Sequence, residues 1–394
     1  MSVIVSNFLT DVREYTQSIS AGRLTDTAVR LYLNDFARES RRMFLLPWSR
    51  RTTELKVFEG IYNYAAPSDM VTPILPQRQI SEDRRDDSYF QGMNQKDFAR
   101  NNNSQNDFAV TWERTTKLLN IRYKNSLGSS VLHTMDDDND NGTWSISGDS
   151  STLIKDTGFF RVGAGSLRFN VTNSTNSVVL INSGMTAIDL DDDADISGFR
   201  LNSTAFLWLY LPITGLTGVD LRWGSSSSAY WSGVQQTANF DGTAFRVGWN
   251  LVGFPWDTAT ETGTVDESAI NFARIALTGA ATGVNYRVDH LVFKKFEQFD
   301  LPYYSNQLFT NSDGTSFKEL VTANDDIILG DEDYIDAARK YVSMKAAQYN
   351  LKKPGLAEIE RQNYQAAIRS LKIRYPSQET KIQSRYFPQH LLRG

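Results

Sequence analysis

Apolar residues recur at helical spacing near both ends of the chain. Val29, Leu33, Phe36 and Met43 share one face of a segment in the first 50 residues, a spacing typical of an amphipathic helix. Two further stripes lie near the C-terminus: Ile335, Ala338, Val342, Ala346 and Tyr349, then Tyr364, Ile368, Leu371 and Tyr375. The sequence KKPG separates them, which predicts a helical hairpin. Each stripe needs an apolar partner, so the two flanks are predicted to form one helical bundle.

The middle of the chain has a different pattern. Short apolar runs alternate with turns rich in Gly, Ser, Thr and Asn: SLRFNV, SVVLI, AFLWLYL, VDLRW, NLVGF, FARIAL and YRVDHLVF. Short strands at such spacing predict an all-β sandwich. We interpret AFLWLYL as apolar on both faces, as in a central strand. Earlier runs such as LKVFEGIYNY and LLNIRY predict a small β element within the N-terminal flank.

Charge separates the same two parts of the 394-residue chain. Residues 129–297 hold 10 Lys and Arg against 19 Asp and Glu, out of totals of 41 and 46. We therefore predict an α+β multidomain protein of 394 residues, a length that suits two or three domains. Its domains would be a discontinuous helical core (1–128 and 298–376), an inserted β-sandwich (129–297) and an extended tail (377–394).

Several classes of chemistry find no support in the sequence. The chain has no Cys, which excludes disulfides and cysteine-built metal sites. Its three His residues show no metal-ligand spacing, and neither GxSxG nor a Walker motif is present. We therefore expect no catalytic residues and no enzyme. The N-terminus lacks the pattern of a signal peptide, and we expect no membrane association because no apolar run is long enough to span a bilayer.

The run HTMDDDNDNGTW (133–144) concentrates oxygen-bearing side chains. Its spacing Asp137-x-Asn139-x-Asn141-Gly142 matches the first half of an EF-hand loop, but Gly148 stands where the bidentate Glu should be. Calcium accepts looser oxygen geometries, so a different calcium site stays open. The alternative is a solvated acidic turn at the entry to the inserted domain. A second run, DLDDDAD (189–195), is predicted to be a polar turn.

Two groups of side chains suggest binding. Trp223, Tyr230, Trp231 and Trp256 lie in or near predicted loops, where aromatic faces can stack on sugar rings; the alternative is that they fill the sandwich core. A basic cluster, Arg41, Arg42, Arg50 and Arg51, suits either DNA phosphates in a channel or acids of a neighbouring subunit.

The middle segment resembles a carbohydrate-binding-module jelly roll. The resemblance rests on Gly142 and Trp144 after the acidic run, and on the segments GAGSLRF (163–169), GWNLVGF (248–254) and VDHLVF (288–293). It implies a structural calcium ion between the first and last strands, held by Asp136 or Asp138 together with Asp289. It also implies glycan binding by the sandwich, for which the four aromatic residues above are the candidates.

The flanks resemble tailed-phage head-to-tail adaptor proteins. The resemblance rests on a leading helix pair, a strand running into YAAPSD (64–69), and the closing helices from DEDYIDAARKYV onward. It implies a structural ring, usually a dodecamer, that joins the capsid portal to the tail in the virion neck, after assembly in the host cytoplasm. Its partners would be further copies of itself, the portal, tail or neck proteins, and DNA passing through without sequence-specific binding.

The tail adds apolar residues without a helical stripe: Ile382, Tyr386, Phe387, Leu391 and Leu392. We expect them to dock on the portal or an adjacent ring. In the connector function, the inserted sandwich is expected to be displayed outward. The main alternative is a glycan-binding or receptor-binding decoration protein of the virion, and a weaker one is a depolymerase that acts on surface polysaccharide.

Overall fold

The computed structural model describes residues 2–16, 23–74, 77–78, 91–92, 108–113, 118–123, 127–150, 152–172, 177–191, 198–200 and 202–375. The chain divides into two compact units. The flank unit comprises Met1–Thr53, Pro67–Ile74 and Leu301–Gly394. The sandwich unit comprises Glu54–Ala66 and Leu75–Asp300.

The elements of the described residues follow in chain order. The helices are α1 (Val5–Tyr15), α2 (Asp26–Met43), α3 (Glu332–Lys345) and α4 (Pro354–Arg374). The first strands are β1 (Ser2–Ile4), β2 (Arg50–Phe58), β3 (Asn63–Ala65), β4 (Met70–Pro73), β5 (Gln77–Arg78), β6 (Gln91–Gly92), β7 (Phe108–Glu113), β8 (Leu118–Tyr123), β9 (Ser129–His133), β10 (Ser145–Gly148), β11 (Ile154–Asp156) and β12 (Ser166–Asn170). The remaining strands are β13 (Ser177–Asn182), β14 (Ser203–Leu211), β15 (Gly218–Gly224), β16 (Tyr230–Ser232), β17 (Gly248–Pro255), β18 (Thr260–Thr262), β19 (Phe272–Thr278), β20 (Asn285–Ser305), β21 (Phe309–Thr310), β22 (Phe317–Lys318) and β23 (Ile327–Leu329).

In the flank unit, side-chain caps define where two helices begin. The Thr25 hydroxyl accepts the backbone N–H of Ala28 at 3.2 Å, and the Asp331 carboxylate accepts that of Tyr334 at 2.9 Å. Such caps satisfy N–H groups that the first helical turn leaves unpaired. They fix the starts of α2 and α3.

Helices from both ends of the chain share one apolar core. The predicted stripes contribute Val29, Leu33, Phe36, Ile335, Ala338, Val342, Ala346, Tyr364, Ile368, Leu371 and Tyr375 to it. Tyr349, predicted on the same stripe, is instead 56% exposed. The backbone of Ala346–Asn350 forms a π-helical turn, which changes the period and rotates Tyr349 off the stripe. No helix among the described residues has the length and hydrophobicity to cross a membrane.

The sandwich unit contains the two-sheet β-sandwich that the sequence predicts. The β14 sheet has the strand order β11-β12-β20-β14-β17, and β9 also pairs with β20. The β15 sheet has the order β10-β13-β19-β15-β16-β18. One apolar core joins them, with Leu207 and Leu209 from β14 and Leu221 and Ile275 from the β15 sheet. The inward faces of both sheets are therefore buried against each other.

The sandwich unit begins earlier in the chain than the predicted boundary at residue 129. Phe58 accounts for part of this difference between the predicted and the observed boundary. Its ring centre lies 5.0 Å from that of Phe206 and 5.6 Å from that of Phe240. Phe206 lies on the outward face of the β14 sheet and is nevertheless 1% exposed. Tyr64 adds a ring contact to Phe240 at 5.7 Å. The strand segment around Phe58 thus covers part of this face and groups with the sandwich.

Some predictions concern residues that the structure does not describe. The docking residues Ile382, Tyr386, Phe387, Leu391 and Leu392 lie outside the described part of the chain, as do residues 192–195 of the second acidic run. Their roles stay predictions.

Candidate functional site

The uncovered part of the outward face of the β14 sheet carries aromatic rings from two neighbouring strands. Trp208 and Tyr210 flank the core residue Leu209, because successive side chains of a strand point to opposite faces. Trp249 reaches the same face, since it is the register partner of Tyr210 on β17. All three rings are half-buried, so each keeps a surface open to solvent.

A residue from the loop between β11 and β12 completes a compact group of rings. Phe159 is 43% exposed, and its ring centre lies 4.8 Å from that of Tyr210 and 6.3 Å from that of Trp249. The Phe159 and Trp249 planes differ by 15°, whereas Tyr210 meets Trp249 at 64° and 5.5 Å. We call Phe159, Tyr210 and Trp249 the ring cluster.

A half-buried ion pair lies beside the ring cluster. The Arg287 guanidinium lies 4.9 Å from the ring centre of Phe159 and 5.0 Å from that of Tyr210. It donates from Nε to Asp156 Oδ2 at 2.9 Å, and a second guanidinium nitrogen lies at the same distance from that oxygen. Stacking and pairing together fix the plane of the guanidinium. The cluster therefore combines apolar rings with an oriented donor and acceptor.

Asp156 is held in its charged form. Burial alone would raise the pKa of its carboxyl group, but the hydrogen bonds from Arg287 and from the backbone N–H of Gly158 lower the pKa below its ordinary value. Asp156 is therefore ionised at neutral pH.

Asp289 anchors the loop that carries Phe159. Its Oδ2 accepts the backbone N–H groups of Arg161 at 2.6 Å and Val162 at 3.0 Å. The guanidinium of Arg161 then lies 4.8 Å from the ring centre of Trp208. The buried carboxylate thus positions both a ring and a cation on the outward face.

Asp136 holds the next residues of the same loop. Its Oδ1 accepts the backbone N–H groups of Ala164 at 2.6 Å and Gly165 at 2.8 Å. Gly163 has a φ of 73°, and a Cβ there would collide with the Asp136 carboxylate. Only glycine suits that position, because it has no side chain and tolerates left-handed backbone.

Asp289 has an unsatisfied oxygen beside a second carboxylate. Its side chain is fully buried, and Oδ1 has no hydrogen-bond partner among the residues that the structure describes. Burial, together with the nearby negative charge of Asp136, raises the pKa of Asp289 to about 6. The adjoining residues Met135 and His290 adopt left-handed backbone, with φ of 61° and 50°. Non-glycine residues rarely adopt it, and such strain clusters at ligand sites.

These two carboxylates fit part of a calcium site. Calcium takes six to eight oxygen ligands, including backbone carbonyls and water. In the described residues no three His, Cys, Asp or Glu side chains converge on a metal position, so carbonyls and water would supply the rest. Asp138, the third predicted ligand, interacts elsewhere: its Oδ1 accepts the Asn139 amide at 3.1 Å, and its hydrogen bond with Asp137 raises its pKa.

The aromatic residues predicted to bind glycan are mostly in the core. Trp223 and Trp256 are fully buried, with ring centres 5.5 Å apart. Trp231 is 7% exposed and donates its indole N–H to Glu267 at 3.3 Å. These three cannot stack on a sugar, and the alternative of core filling is correct for them. Tyr230 is half-buried and lies on the outward face of the β15 sheet, away from the ring cluster.

Comparisons with known proteins locate similarity in solved structures alone. No family model matches the chain, and no curated protein matches it. A family 11 carbohydrate-binding module from Clostridium thermocellum, in complex with a β-1,3-1,4-mixed-linked tetrasaccharide, is 10% identical with a TM-score of 0.28, covering 43% of this chain and 96% of that one. A family 30 carbohydrate-binding module is 11% identical with a TM-score of 0.29, covering 44% and 98%.

A xylan-binding domain of family 22 is 12% identical with a TM-score of 0.23, covering 39% of this chain and 86% of that one. Scores at this level carry no argument about function. Nothing in these comparisons indicates a phage head-to-tail adaptor.

Proposed function

We propose that the sandwich unit binds glycans on the outward face of the β14 sheet. The observation that carries this proposal is the ring cluster of Phe159, Tyr210 and Trp249, half-buried or exposed beside the Arg287–Asp156 pair. Sugar rings present C–H groups that pack on the negative face of an aromatic ring. Their hydroxyls both donate and accept hydrogen bonds, and an ionised pair offers strong partners for both.

The arrangement of the ring cluster supports binding more than packing. The other part of the same face is closed by Phe58 and its neighbours, which leave Phe206 1% exposed. Phe159, by contrast, remains 43% exposed. Rings held by strand register and by an anchored loop lose little entropy when a ligand docks, which favours affinity.

Affinity electrophoresis of the full chain in gels containing soluble neutral polysaccharides tests the proposal. We expect retardation by at least one β-linked glucan or xylan, and restored mobility for Tyr210→Ala. The control is Tyr62→Ala, which removes a 52% exposed ring of the same unit. Equal retardation of the wild type and Tyr210→Ala would contradict binding at the ring cluster.

We further propose a structural calcium ion beside the glycan face, held by Asp136 and Asp289. Such an ion would neutralise two neighbouring carboxylates and satisfy the orphaned Oδ1 of Asp289. Its effect would be to fix the loop that carries Phe159, because both carboxylates also hold that loop.

A second candidate function is that of a structural connector subunit in a phage neck. The observation that favours it is an exposed apolar stripe at seven-residue spacing on α4: Ile359 at 57% and Ile373 at 90% exposure, with exposed Ala366 between them. Such a stripe suits contact with a further copy of the chain. In this role the glycan face would be displayed from a virion, where it would meet surface polysaccharide of the host.

A further inference from the structure

The outward face of the β15 sheet carries two arginines directly opposite each other. Arg222 of β15 and Arg274 of β19 are register partners. Both side chains point away from the core, because their strand neighbours Leu221, Trp223 and Ile275 lie in it. Facing residues of an antiparallel pair have Cβ atoms about 5 Å apart, so the two guanidinium groups share one small area of surface.

One carboxylate, that of Asp220, lies within electrostatic reach of the arginine pair. Within the part of the chain that the structure describes, neither Arg222 nor Arg274 forms an ion pair. Asp220 stands two residues before Arg222 on the same face and accepts the side-chain amide of Gln235 at 3.0 Å. Burial, followed by the positive charge of Arg222, lowers the pKa of Arg274. Two positive charges therefore face each other with one acid in reach, and that acid is already hydrogen-bonded.

Tyr230 holds one of the two guanidinium groups in place. Arg222 donates to its hydroxyl at 3.1 Å and lies 4.7 Å from its ring centre. Ser232 is the register partner of Arg222 on the other side, which adds a hydroxyl to the same row. Like charges directly opposite in a sheet are destabilising, so this arrangement costs stability unless an anion lies between the arginines.

We propose that Arg222 and Arg274, with Tyr230, form an oxyanion-binding site for the carboxylate or sulfate groups of an acidic polysaccharide. A guanidinium group can donate two parallel hydrogen bonds to two oxygens of a carboxylate or sulfate. Two adjacent guanidinium groups can bind one such anion from both sides. The polysaccharide class rests on the proposed glycan-binding function, whereas the anion site itself does not. It would give the sandwich a second contact surface, on the sheet opposite the ring cluster.

The first test uses inorganic sulfate on the full chain. An anion bound only by the folded state raises the melting temperature, so sodium sulfate should stabilise the wild type more than the Arg222→Gln/Arg274→Gln double variant, relative to sodium chloride at equal ionic strength. The matched control, Arg246→Gln, removes an exposed arginine of the same unit and should retain the full sulfate effect. An equal sulfate effect in the wild type and the double variant would overturn the site.

The second test separates the anion from its source. Polygalacturonate supplies carboxylates, its methyl ester supplies the same backbone without charge, and dextran sulfate supplies sulfates. We expect polygalacturonate or dextran sulfate to bind the wild type. Arg222→Lys keeps the charge but loses the guanidinium fork, so it should bind about tenfold more weakly, as for the loss of one charged hydrogen bond. Binding of the methyl ester at equal strength would overturn an acidic polysaccharide as the ligand of this site, and the sulfate test decides the anion site itself. If the wild type binds sulfate but no neutral glycan, the proposed glycan-binding function is wrong and the anion site is still supported.

Discussion

Tyr210 and Trp249 are register partners on β14 and β17, and their ring centres lie 5.5 Å apart on the outward face of the β14 sheet. Their spacing is thus set by backbone pairing rather than by a loop. Phe159 alone joins them from a loop, and two carboxylates, the buried Asp289 and the half-buried Asp136, hold that loop. The geometry of the ring cluster is therefore preorganised, which is the basis of the functional proposal.

Replacing Phe58 by Ala should strongly destabilise the sandwich unit. Its buried ring contacts Phe206 and Phe240, and removing such a ring from a packed core costs about 3–5 kcal/mol. The exposed Tyr62, four residues later, provides a matched control, with an expected change within about 0.5 kcal/mol for Tyr62→Ala. Urea unfolding measures both. Equal midpoints for the two variants would show that residues 54–66 do not belong with the sandwich.

The sequence predicted what depends on local periodicity. Leu33 and Phe36 recur at helical spacing, so the helices of the flanks were visible. Trp223 also carried a local signal, because it alternates with Leu221 along VDLRW. That alternation places its ring on the inward face, and giving it weight would have corrected the glycan prediction.

Other features depend on contacts between distant residues. The run AFLWLYL shows Trp208 and Tyr210 two residues apart, but its apolar content hides that one face is only half-buried. Phe159 lies in a loop that contacts Tyr210, and backbone N–H groups later in that loop donate hydrogen bonds to Asp136 and Asp289. The spacing of these residues in the sequence does not predict that contact, because it depends on strand order and register.

Asp289→Asn should change how stability depends on pH in calcium-free buffer. The folded-state pKa of Asp289, about 6, lies above the unfolded value, so its contribution to stability is full below pH about 4 and is lost as pH rises to about 6. Near pH 7.5 the buried charge destabilises, and the Asn variant should be more stable than the wild type by on the order of 1–3 kcal/mol.

The difference between the unfolding free energies of the wild type and Asp289→Asn, followed against pH, isolates the contribution of the Asp289 carboxyl group. His290 and His133 lie close by, and burial lowers the pKa of each; their stabilising contribution therefore grows as pH rises, opposite to that of Asp289. Subtracting the curves removes both histidine contributions. A difference that stays constant between pH 4 and pH 7 would contradict a raised pKa for Asp289.

Calcium should offset the lower stability of the wild type relative to Asp289→Asn. Binding by the folded state alone adds about 2.7 kcal/mol when free calcium is one hundred times the dissociation constant. Millimolar calcium should therefore raise the melting temperature of the wild type and leave Asp289→Asn unchanged, as measured by calorimetry with a chelator as reference. The same melting temperature for the wild type with calcium and with chelator would contradict the ion.

Changing Ile359 and Ile373 to Asp should alter self-association without unfolding the chain. Both side chains are exposed, so the folded monomer gains little from them. If the stripe on α4 contacts another copy, burying two charges there should disrupt the assembly. Mass photometry would show wild-type oligomers and variant monomers. The control is Leu31→Asp, at a 59% exposed position of α2; loss of oligomers in both variants, or in neither, would contradict an interface at this stripe.

Isothermal titration of Trp249→Ala with the neutral oligosaccharide that binds the wild type most tightly tests the central claim most directly. Truncating a ring at the centre of a binding surface typically reduces the binding free energy by at least about 2 kcal/mol. This loss raises the dissociation constant about thirtyfold. Tyr62→Ala should bind as the wild type does, and circular dichroism should show both variants folded. Glycan binding by the sandwich predicts that Trp249→Ala loses affinity by about this factor; unchanged affinity in this variant would contradict the account.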